Sequence, residues 1–261
     1  HSGLTHVATL AADGGDPVRC VVKSTPPGRR PRGRHDVLRQ ARILGALGRA
    51  SRVPVPELLF EAPEPIPLFG MELVGGFAAE PVMEEPRPDE TAAGVAAAWE
   101  AAVDLLVALQ EPAPADLDLD GEPVADPAGE LDRWTATLEA AGLGDDPPAR
   151  ALLDALTAAP PRPLAPRLTH GDFRLGNVMR TADGAVTALV DWEIWSVGDP
   201  RADLGWLTVY TDPASFPGLG RAAAGTPTAA DVVDRYRAAT GAPSDGIAWF
   251  EALACFKLGA V

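Results

Sequence analysis

The sequence predicts an α+β protein of two lobes, a small antiparallel sheet with one helix followed by a larger, mainly helical part. Residues 1–76 carry alternating apolar patterns, which are typical of half-buried strands, and one helical pattern. Residues 77–261 carry apolar residues at helical spacing, separated by segments rich in proline and glycine. We therefore predict an N-terminal lobe over 1–76 and a C-terminal lobe over 77–261.

The composition is that of a folded globular protein, with 46% hydrophobic and 23% charged residues. The net charge of −15 argues against a nucleic-acid partner, which needs a basic surface, and makes a cationic small molecule one candidate substrate. No run of about 18 uncharged apolar residues occurs, so no membrane partner is predicted. Cys20 and Cys255 stand among apolar residues. This pattern predicts buried free thiols and a cytoplasmic location.

The small lobe begins with a predicted β-hairpin. Its strands are the apolar runs 7–10 and 18–23, which flank a turn rich in Gly and Asp. A further strand is predicted over 68–74, where it ends at two glycines. Lys23 closes the second strand. Among 22 basic residues, only Lys23 and Lys257 are lysines, so a lysine in this chain is a candidate functional residue.

The helix of the small lobe follows a basic, proline-rich loop. Asp36 is its predicted N-cap, and Gly48 is its predicted end. Gln40 falls on the apolar stripe of this helix. We therefore expect the amide of Gln40 to point toward the neighbouring sheet.

The large lobe shows one strong helical seam over 95–109. The acidic segment 111–132 is rich in Pro and Ala and is predicted to be mostly loop. Further helices are predicted at about 128–141, about 148–158 and 228–241. The first residues resemble a strand-loop region and the last residues a helix, so we expect the chain to continue beyond both ends.

The segment 168–193 carries the chemistry. Asn177 and Asp191 are fourteen residues apart, and the dipeptide Asp183-Gly184 at their midpoint lies between two apolar runs. This is a strong β-hairpin pattern, and it brings Asn177 and Asp191 together at the open end. Asp172 precedes Asn177 by five residues. Three oxygen-bearing side chains thus converge, which is typical of a Mg²⁺ site.

Phosphoryl transfer from a nucleotide needs this set of groups. An Asp and an Asn hold Mg²⁺, a separate Asp accepts the proton of the attacking hydroxyl, and a Lys of the sheet lobe holds the nucleotide phosphates. The sequence offers Asp191 and Asn177 as metal ligands, Asp172 as the base and Lys23 as the phosphate anchor.

Three ordered motifs resemble the aminoglycoside phosphotransferase-like family of kinases. They are His-Gly-Asp-x-x-x-x-Asn at 170–177, Asp-Trp-Glu at 191–193, and Gly-Asp-Pro-x-x-Asp-Leu at 198–204. Segments 35–39 and 256–258 are similar to the branch related to kinase-like domains attached to acyl-CoA dehydrogenases. The resemblance runs through nearly the whole chain and implies a bilobal, protein-kinase-like fold.

The resemblance implies an ATP-dependent O-phosphotransferase that moves the γ-phosphate of ATP, or of GTP, to a hydroxyl of a small molecule. It gives Asp172 the role of base, Asn177 and Asp191 the role of Mg²⁺ ligands, and Lys23 the role of phosphate lysine. It also implies that Asp203 bonds the backbone of the catalytic loop and that His170 is structural. Independently of the resemblance, the tryptophans at 192, 195 and 206 are expected to pack in the core rather than to form a stacking platform.

The resemblance implies a nucleotide site in the small lobe. The family's Gly-rich phosphate loop corresponds only to residues 1–3, where Ser2 is the candidate contact. The strand 71–74 would be the interlobe hinge, with Glu72 and Val74 beside the adenine and Val21 covering the ring.

Gln40 departs from the family, which usually has a Glu there to pair with the lysine. An amide can accept a hydrogen bond from Lys23 but adds no charge. The departure motivates a second hypothesis, a catalytically weak or inactive nucleotide-binding module of the same fold. A two-metal phosphoesterase is disfavoured, because such sites need several His ligands and the remaining histidines, at 1, 6 and 35, are distant in sequence.

Overall fold

The computed structural model describes residues 3–11, 16–243 and 245–259, and it has the two-lobed α+β architecture. The strands are β1 Leu4–Leu10, β2 Val18–Ser24, β3 Leu58–Ala62, β4 Leu68–Glu72, β5 Val124–Ala125, β6 Arg167–Thr169, β7 Val178–Arg180, β8 Val186–Leu189 and β9 Ser196–Gly198. The helices are α1 Val37–Ala50, α2 Ala92–Gln110, α3 Pro127–Ala140, α4 Pro147–Ala158, α5 Arg201–Val209, α6 Ala229–Thr240 and α7 Ile247–Gly259. The exact boundary between the lobes, after residue 76, stays a prediction.

The small lobe is built on one antiparallel sheet in the order β1-β2-β4-β3. Lys23 sits in the second strand of this sheet, opposite Thr5 on one side and Phe69 on the other. Helix α1 contacts β3 and β4. The Asp36 side chain accepts a hydrogen bond from the Arg39 N–H at 3.1 Å, so the predicted N-cap is confirmed.

Three details of the sequence interpretation are wrong. Helix α1 continues past Gly48 to Ala50, since one glycine costs only about 1 kcal/mol in a helix that buries a whole apolar face. Strand β3 was not predicted, because five residues are too few for a clear alternation. Cys255 is exposed rather than buried, while Cys20 is buried as expected.

Helix α2 lies in the core of the large lobe. It is long and apolar enough to cross a membrane by length and composition, yet half of the apolar window is buried inside the protein. Trp99 and Leu106 are among its buried side chains, whereas Glu100 and Asp104 are exposed. This is the pattern of a core helix, which explains its high content of apolar residues.

The turn between β7 and β8 packs directly on helix α2. Gly184 in this turn has a positive φ of 92°, and a Cβ built on it would lie 2.7 Å from the Ala98 nitrogen. Only glycine fits such a close approach without displacing backbone. The β7–β8 hairpin is therefore anchored on the core at its closed end, and this anchor determines where its open end lies.

We predict that Gly184→Ala destabilises the protein by about 1–3 kcal/mol more than Gly142→Ala does. Both glycines have positive φ, so alanine adds backbone strain at both. Gly142 has no atom within 4 Å of a built Cβ, so it lacks the steric conflict of Gly184. Urea unfolding of the two variants measures the difference, and equal losses would contradict the close packing on α2.

Candidate active site

Asp172 is the centre of the candidate site. It lies in the loop between β6 and β7, and its side chain is 26% exposed. The Trp206 indole N–H donates to Asp172 Oδ1 at 2.8 Å, and the Asn177 amide donates to Asp172 Oδ2 at 2.8 Å. The Arg174 Nε–H donates to Oδ1 at 3.3 Å. These donors orient the carboxylate, while its exposure leaves it open to a ligand.

The backbone before Asp172 is held by a buried carboxylate. Asp203, on helix α5, accepts the His170 N–H at 2.6 Å and the Gly171 N–H at 2.8 Å. Burial raises the pKa of Asp203, while the two backbone donors act in the opposite direction by stabilising the charge. The contact to the loop that the resemblance implied for Asp203 is therefore present in the structure.

Both ring nitrogens of His170 contact backbone groups near the site. Its Nε2 lies 2.9 Å from the Val190 carbonyl oxygen, and its Nδ1 accepts the Asp172 N–H at 3.3 Å. This pairing corresponds to a neutral ring protonated on Nε2. The ring also packs on Trp192, with 4.6 Å between centroids. His170 thus joins the loop to the β8 end, which agrees with a structural role.

The predicted hairpin is confirmed, with a shift in register. Strands β7 and β8 pair antiparallel, with Val178 opposite Leu189, whereas a turn centred on residue 184 would place Val178 opposite residue 190. The pair nearest the turn is Arg180 with Val186, so the turn is centred on residue 183, and an irregularity between Met179 and Arg180 moves the following pairs by one residue. The Val190 N–H donates to the Asn177 carbonyl at 3.0 Å, so Asn177 and the following Asp191 both lie at the open end.

Asp191 has an unusual backbone conformation. Its φ is +69°, in the left-handed region that few residues other than glycine adopt and in which Asp is enriched. Such strain is often kept at functional positions. Asp191 Oδ1 accepts a hydrogen bond from the Lys23 ammonium at 3.0 Å. The large lobe and the small lobe therefore meet at this ion pair.

Lys23 has three acceptors. Besides Asp191, its Nζ donates to Gln40 Oε1 at 3.2 Å and to Glu193 Oε1 at 3.4 Å. The contact expected of Gln40 is thus present, although the Gln40 Nε2 is buried without a hydrogen-bond partner. Glu193 adds the negative charge that Gln40 lacks. Sequence reasoning quoted Glu193 only as part of a motif and missed this contact.

The donor set at the open end of the hairpin fits a hard cation such as Mg²⁺. The amide nitrogen of Asn177 is taken by Asp172, so its Oδ1 is left for a ligand, and Asp191 offers its second oxygen. No group of three His, Cys, Asp or Glu side chains in the described part of the chain could hold a metal by itself. Mg²⁺ commonly takes one or two protein ligands and completes its octahedron with phosphates and water.

For two of the other predicted nucleotide contacts, Glu72 and Val74, the structure gives positions but no contact that bears on their role. Glu72 is exposed at the end of β4, and its N–H donates to the Glu57 carbonyl at 2.9 Å, so that donor is already in use. Val74 is half-buried two residues further on. Ser2 lies outside the described residues. The roles of Glu72, Val74 and Ser2 stay predictions.

Glu80 is a site residue that sequence reasoning missed. It is 1% exposed and precedes helix α2, far in sequence from the catalytic loop. Its Oε2 accepts the Gly176 N–H at 3.0 Å, and Arg174 lies 3.7 Å from the same oxygen. The other oxygen, Oε1, has no hydrogen-bond partner. Burial raises the pKa of Glu80 to about 7.

The sequence of nearly the whole chain, and not only the candidate site, identifies the family. The profile described as "Phosphotransferase enzyme family" matches residues 4–244. The chain belongs to the phosphotransferase enzyme family. The resemblance recognised from the three motifs is thereby confirmed.

Several relatives of this chain are named as acyl-CoA dehydrogenases. Acyl-CoA dehydrogenase family member 10 of Mus musculus is 37% identical over 90 residues, which is 34% of this chain and 8% of that protein. Probable acyl-CoA dehydrogenase IBR3 of Arabidopsis thaliana is 26% identical over 207 residues, which is 74% of this chain and 25% of that protein. The chain therefore spans a quarter or less of the length of these two relatives.

Solved structures share the fold. A Ralstonia eutropha protein assigned as an aminoglycoside phosphotransferase superposes with a TM-score of 0.76 and 23% identity, covering 98% of this chain and 81% of that one. Macrolide 2'-phosphotransferase MphH of Brachybacterium faecium gives 0.62 and 22%, covering 97% and 78%. A GDP complex of an aminoglycoside 2'-phosphotransferase gives 0.63 and 16%, covering 97% and 82%. The predicted kinase-like α+β fold is confirmed.

We predict that Glu80 makes stability depend on pH. A carboxyl whose pKa is raised from 4.5 to about 7 on folding favours the protonated folded state, so stability falls as pH rises through this window. Glu80→Gln keeps an oxygen for Gly176 but cannot ionise. Between about pH 5 and about pH 8, its stability relative to the wild type should rise by roughly 2–3 kcal/mol.

Urea unfolding at a series of pH values measures this change. Glu139→Gln serves as the control, because Glu139 is an exposed glutamate on α3. A Glu80→Gln variant whose relative stability stays constant across this window would show that Glu80 is ionised in the folded protein throughout.

Proposed function

We propose that this protein transfers the γ-phosphate of ATP or GTP to a hydroxyl of a small molecule, with Asp172 as the general base. The observation that carries the proposal is the setting of Asp172. Its carboxylate is partly exposed and held by Trp206, Asn177 and Arg174, in the same loop that carries the proposed metal ligand Asn177.

The acceptor hydroxyl would give its proton to Asp172 as its oxygen attacks the γ-phosphorus. The bond from this phosphorus to the β–γ bridging oxygen breaks, and the nucleoside diphosphate leaves. Asp172 accepts hydrogen bonds from Trp206 and Asn177, so these residues hold the base in place without competing for the incoming proton.

Lys23 would hold the phosphates of the nucleotide. Its present partners, Asp191 and Glu193, show that its ammonium points toward the open end of the hairpin. Asn177 Oδ1 and Asp191 would hold Mg²⁺, which when bound neutralises charge on the phosphates. Lys23 would then exchange a carboxylate oxygen for a phosphate oxygen, so its ammonium would still be paired with a negative charge.

The known relatives support a small-molecule acceptor but leave its class open. The structural neighbours include aminoglycoside and macrolide phosphotransferases, and one is a complex with GDP and kanamycin. These ligands belong to those proteins. For this chain the net charge of −15 favours a cationic acceptor, whereas Arg174 beside the base places one positive charge at the reaction centre.

A nucleotide-binding module without turnover is the second candidate. Gln40 favours it, since its side chain is neutral where the family usually has a charge, and its buried Nε2 has no hydrogen-bond partner. The contact from Glu193 to Lys23 favours the enzyme. Nucleotide titration with and without Mg²⁺, followed by a screen of alcohols for acceptor-dependent ADP or GDP formation, separates the two.

We predict that Asp172→Asn lowers kcat by about 10²–10⁴-fold, because the amide cannot accept the acceptor's proton. Nucleotide affinity should change little, since Asp172 faces the acceptor. Steady-state kinetics and a nucleotide titration check both statements.

Asp183→Asn is the matched control, because Asp183 is an aspartate in the turn of the same hairpin, away from the open end. The base assignment fails if purified Asp172→Asn turns over at the rate of this control.

We predict that Lys23→Met weakens nucleotide binding by about 10–100-fold, the loss typical of one hydrogen bond to a charged group. The matched control is Arg19→Met, which removes a charge from the same strand at an exposed position. Isothermal titration with ATP and GTP measures both variants. Equal affinity in Lys23→Met and Arg19→Met would remove Lys23 from the nucleotide site.

A further inference from the structure

Lys257 is a buried cation behind the catalytic loop. It lies on helix α7 and is 4% exposed. Its Nζ donates to the Gly171 carbonyl oxygen at 3.2 Å. The ammonium also lies over two indole rings, 5.0 Å from the centroid of Trp134 and 4.5 Å from that of Trp206. Within the described residues it forms no salt bridge with a carboxylate.

Such a position is costly for an ammonium. Burial in an apolar environment disfavours the charge, and this effect lowers the pKa of Lys257, although Glu130 and Asp203 oppose it. Glu130 is itself paired with Arg133 at 2.9 Å. A methionine or leucine would fill the same space without this cost. The contacts of the charge therefore need an explanation beyond packing.

The first contact holds the backbone of the catalytic base. Gly171 donates its N–H to Asp203 and accepts from Lys257 through its carbonyl, so two opposite buried charges hold one glycine. Its φ is +86°, and a Cβ there would lie 2.6 Å from the Ile194 oxygen. The Gly171 carbonyl and the Asp172 N–H belong to one planar peptide unit. Lys257 therefore fixes the plane from which Asp172 projects.

The second contact supports the side chain of the base. Trp206 presents its ring to the Lys257 ammonium and donates its indole N–H to Asp172 Oδ1 at 2.8 Å. A cation over an indole ring is attracted by the electron density of its face. Lys257 therefore contacts two of the groups that hold Asp172, the peptide before it and the indole beside it.

We propose that Lys257 is a positioning residue for the catalytic loop, holding the Gly171 peptide and the Trp206 indole so that the Asp172 carboxylate keeps its reactive orientation. The proposal rests on the proposed function of Asp172 as base. It gives a role to the second of the two lysines and to the 256–258 segment near the end of the described chain. Lys257 itself touches no reacting atom.

The test compares Lys257→Met with Leu253→Ala. Methionine keeps the length and apolar stem of lysine but removes the charge and the donor. Leu253 is 2% exposed one turn earlier on α7 and packs in a cluster with Leu131 and Phe250, so its truncation weakens the same helix without touching the loop. Both variants are assayed as the full chain, at a temperature where each is folded by circular dichroism.

The expected result is a split between kcat and KM. In Lys257→Met, kcat should fall by about 100-fold, the size of effect that a small misplacement of a catalytic group produces. KM for nucleotide and acceptor should stay within about threefold of the wild type, since Lys257 contacts neither. Leu253→Ala should keep kcat. A kcat in Lys257→Met equal to that of Leu253→Ala would overturn the proposal.

Hydrogen exchange gives a readout that does not need turnover. Exchange of the peptide spanning 168–177 should quicken by about tenfold in Lys257→Met and stay unchanged in Leu253→Ala, because the amides of Gly171 and Asp172 are held in the loop. Unchanged exchange would overturn the proposal. A wild-type protein without phosphotransfer would instead refute the proposed function, and the exchange result would still decide the role of Lys257.

If the methionine variant does not fold, Lys257→Gln takes its place. Its side chain is one bond shorter and carries no charge, so it weakens the hydrogen bond to the Gly171 carbonyl and removes the cation over Trp206, and the same loss of kcat and the same faster exchange are expected. Wild-type values of both in a folded Lys257→Gln would overturn the proposal.

Discussion

The buried carboxylate of Asp203 is the interaction on which the candidate site depends. It lies on helix α5 and accepts two successive backbone N–H groups, those of His170 and Gly171. Two hydrogen bonds from adjacent peptides leave the loop little freedom, and the positive φ of Gly171 turns the chain at that point. The side chain of Asp172 therefore starts from a fixed backbone, which is the condition for accurate placement of a catalytic group.

The second half of the site depends on where the β7–β8 hairpin is anchored. Gly184 fits against helix α2 at the closed end, and Arg180 is buried and paired with Glu90 at 2.9 Å. Both contacts belong to the rigid core of the large lobe. Asn177 and Asp191 then emerge at the opposite, open end, where Lys23 of the small lobe contacts Asp191.

The sequence predicted the parts of the site that depend on local order along the chain. The hairpin turn, the spacing of Asn177 and Asp191, and the cap of helix α1 each have a short-range pattern. Trp206 and Lys257 could not be assigned in this way, because they reach the loop from helices α5 and α7, far along the chain. The register of the hairpin was missed for a local reason, because neither the exact centre of the turn nor an irregular residue changes the alternating apolar pattern.

The neutral Gln40 changes what the small-lobe helix can control. Both carboxylates that face Lys23 lie within 191–193, a stretch continuous with the metal-ligand hairpin. A displacement of helix α1 would therefore cost Lys23 one hydrogen bond to a neutral acceptor and leave both of its carboxylate partners in place. In a kinase with a glutamate on that helix, outward movement of the helix separates the glutamate from the lysine and lowers activity. In this chain the negative charges beside Lys23 belong to 191–193, so the position of helix α1 does not determine whether they are present.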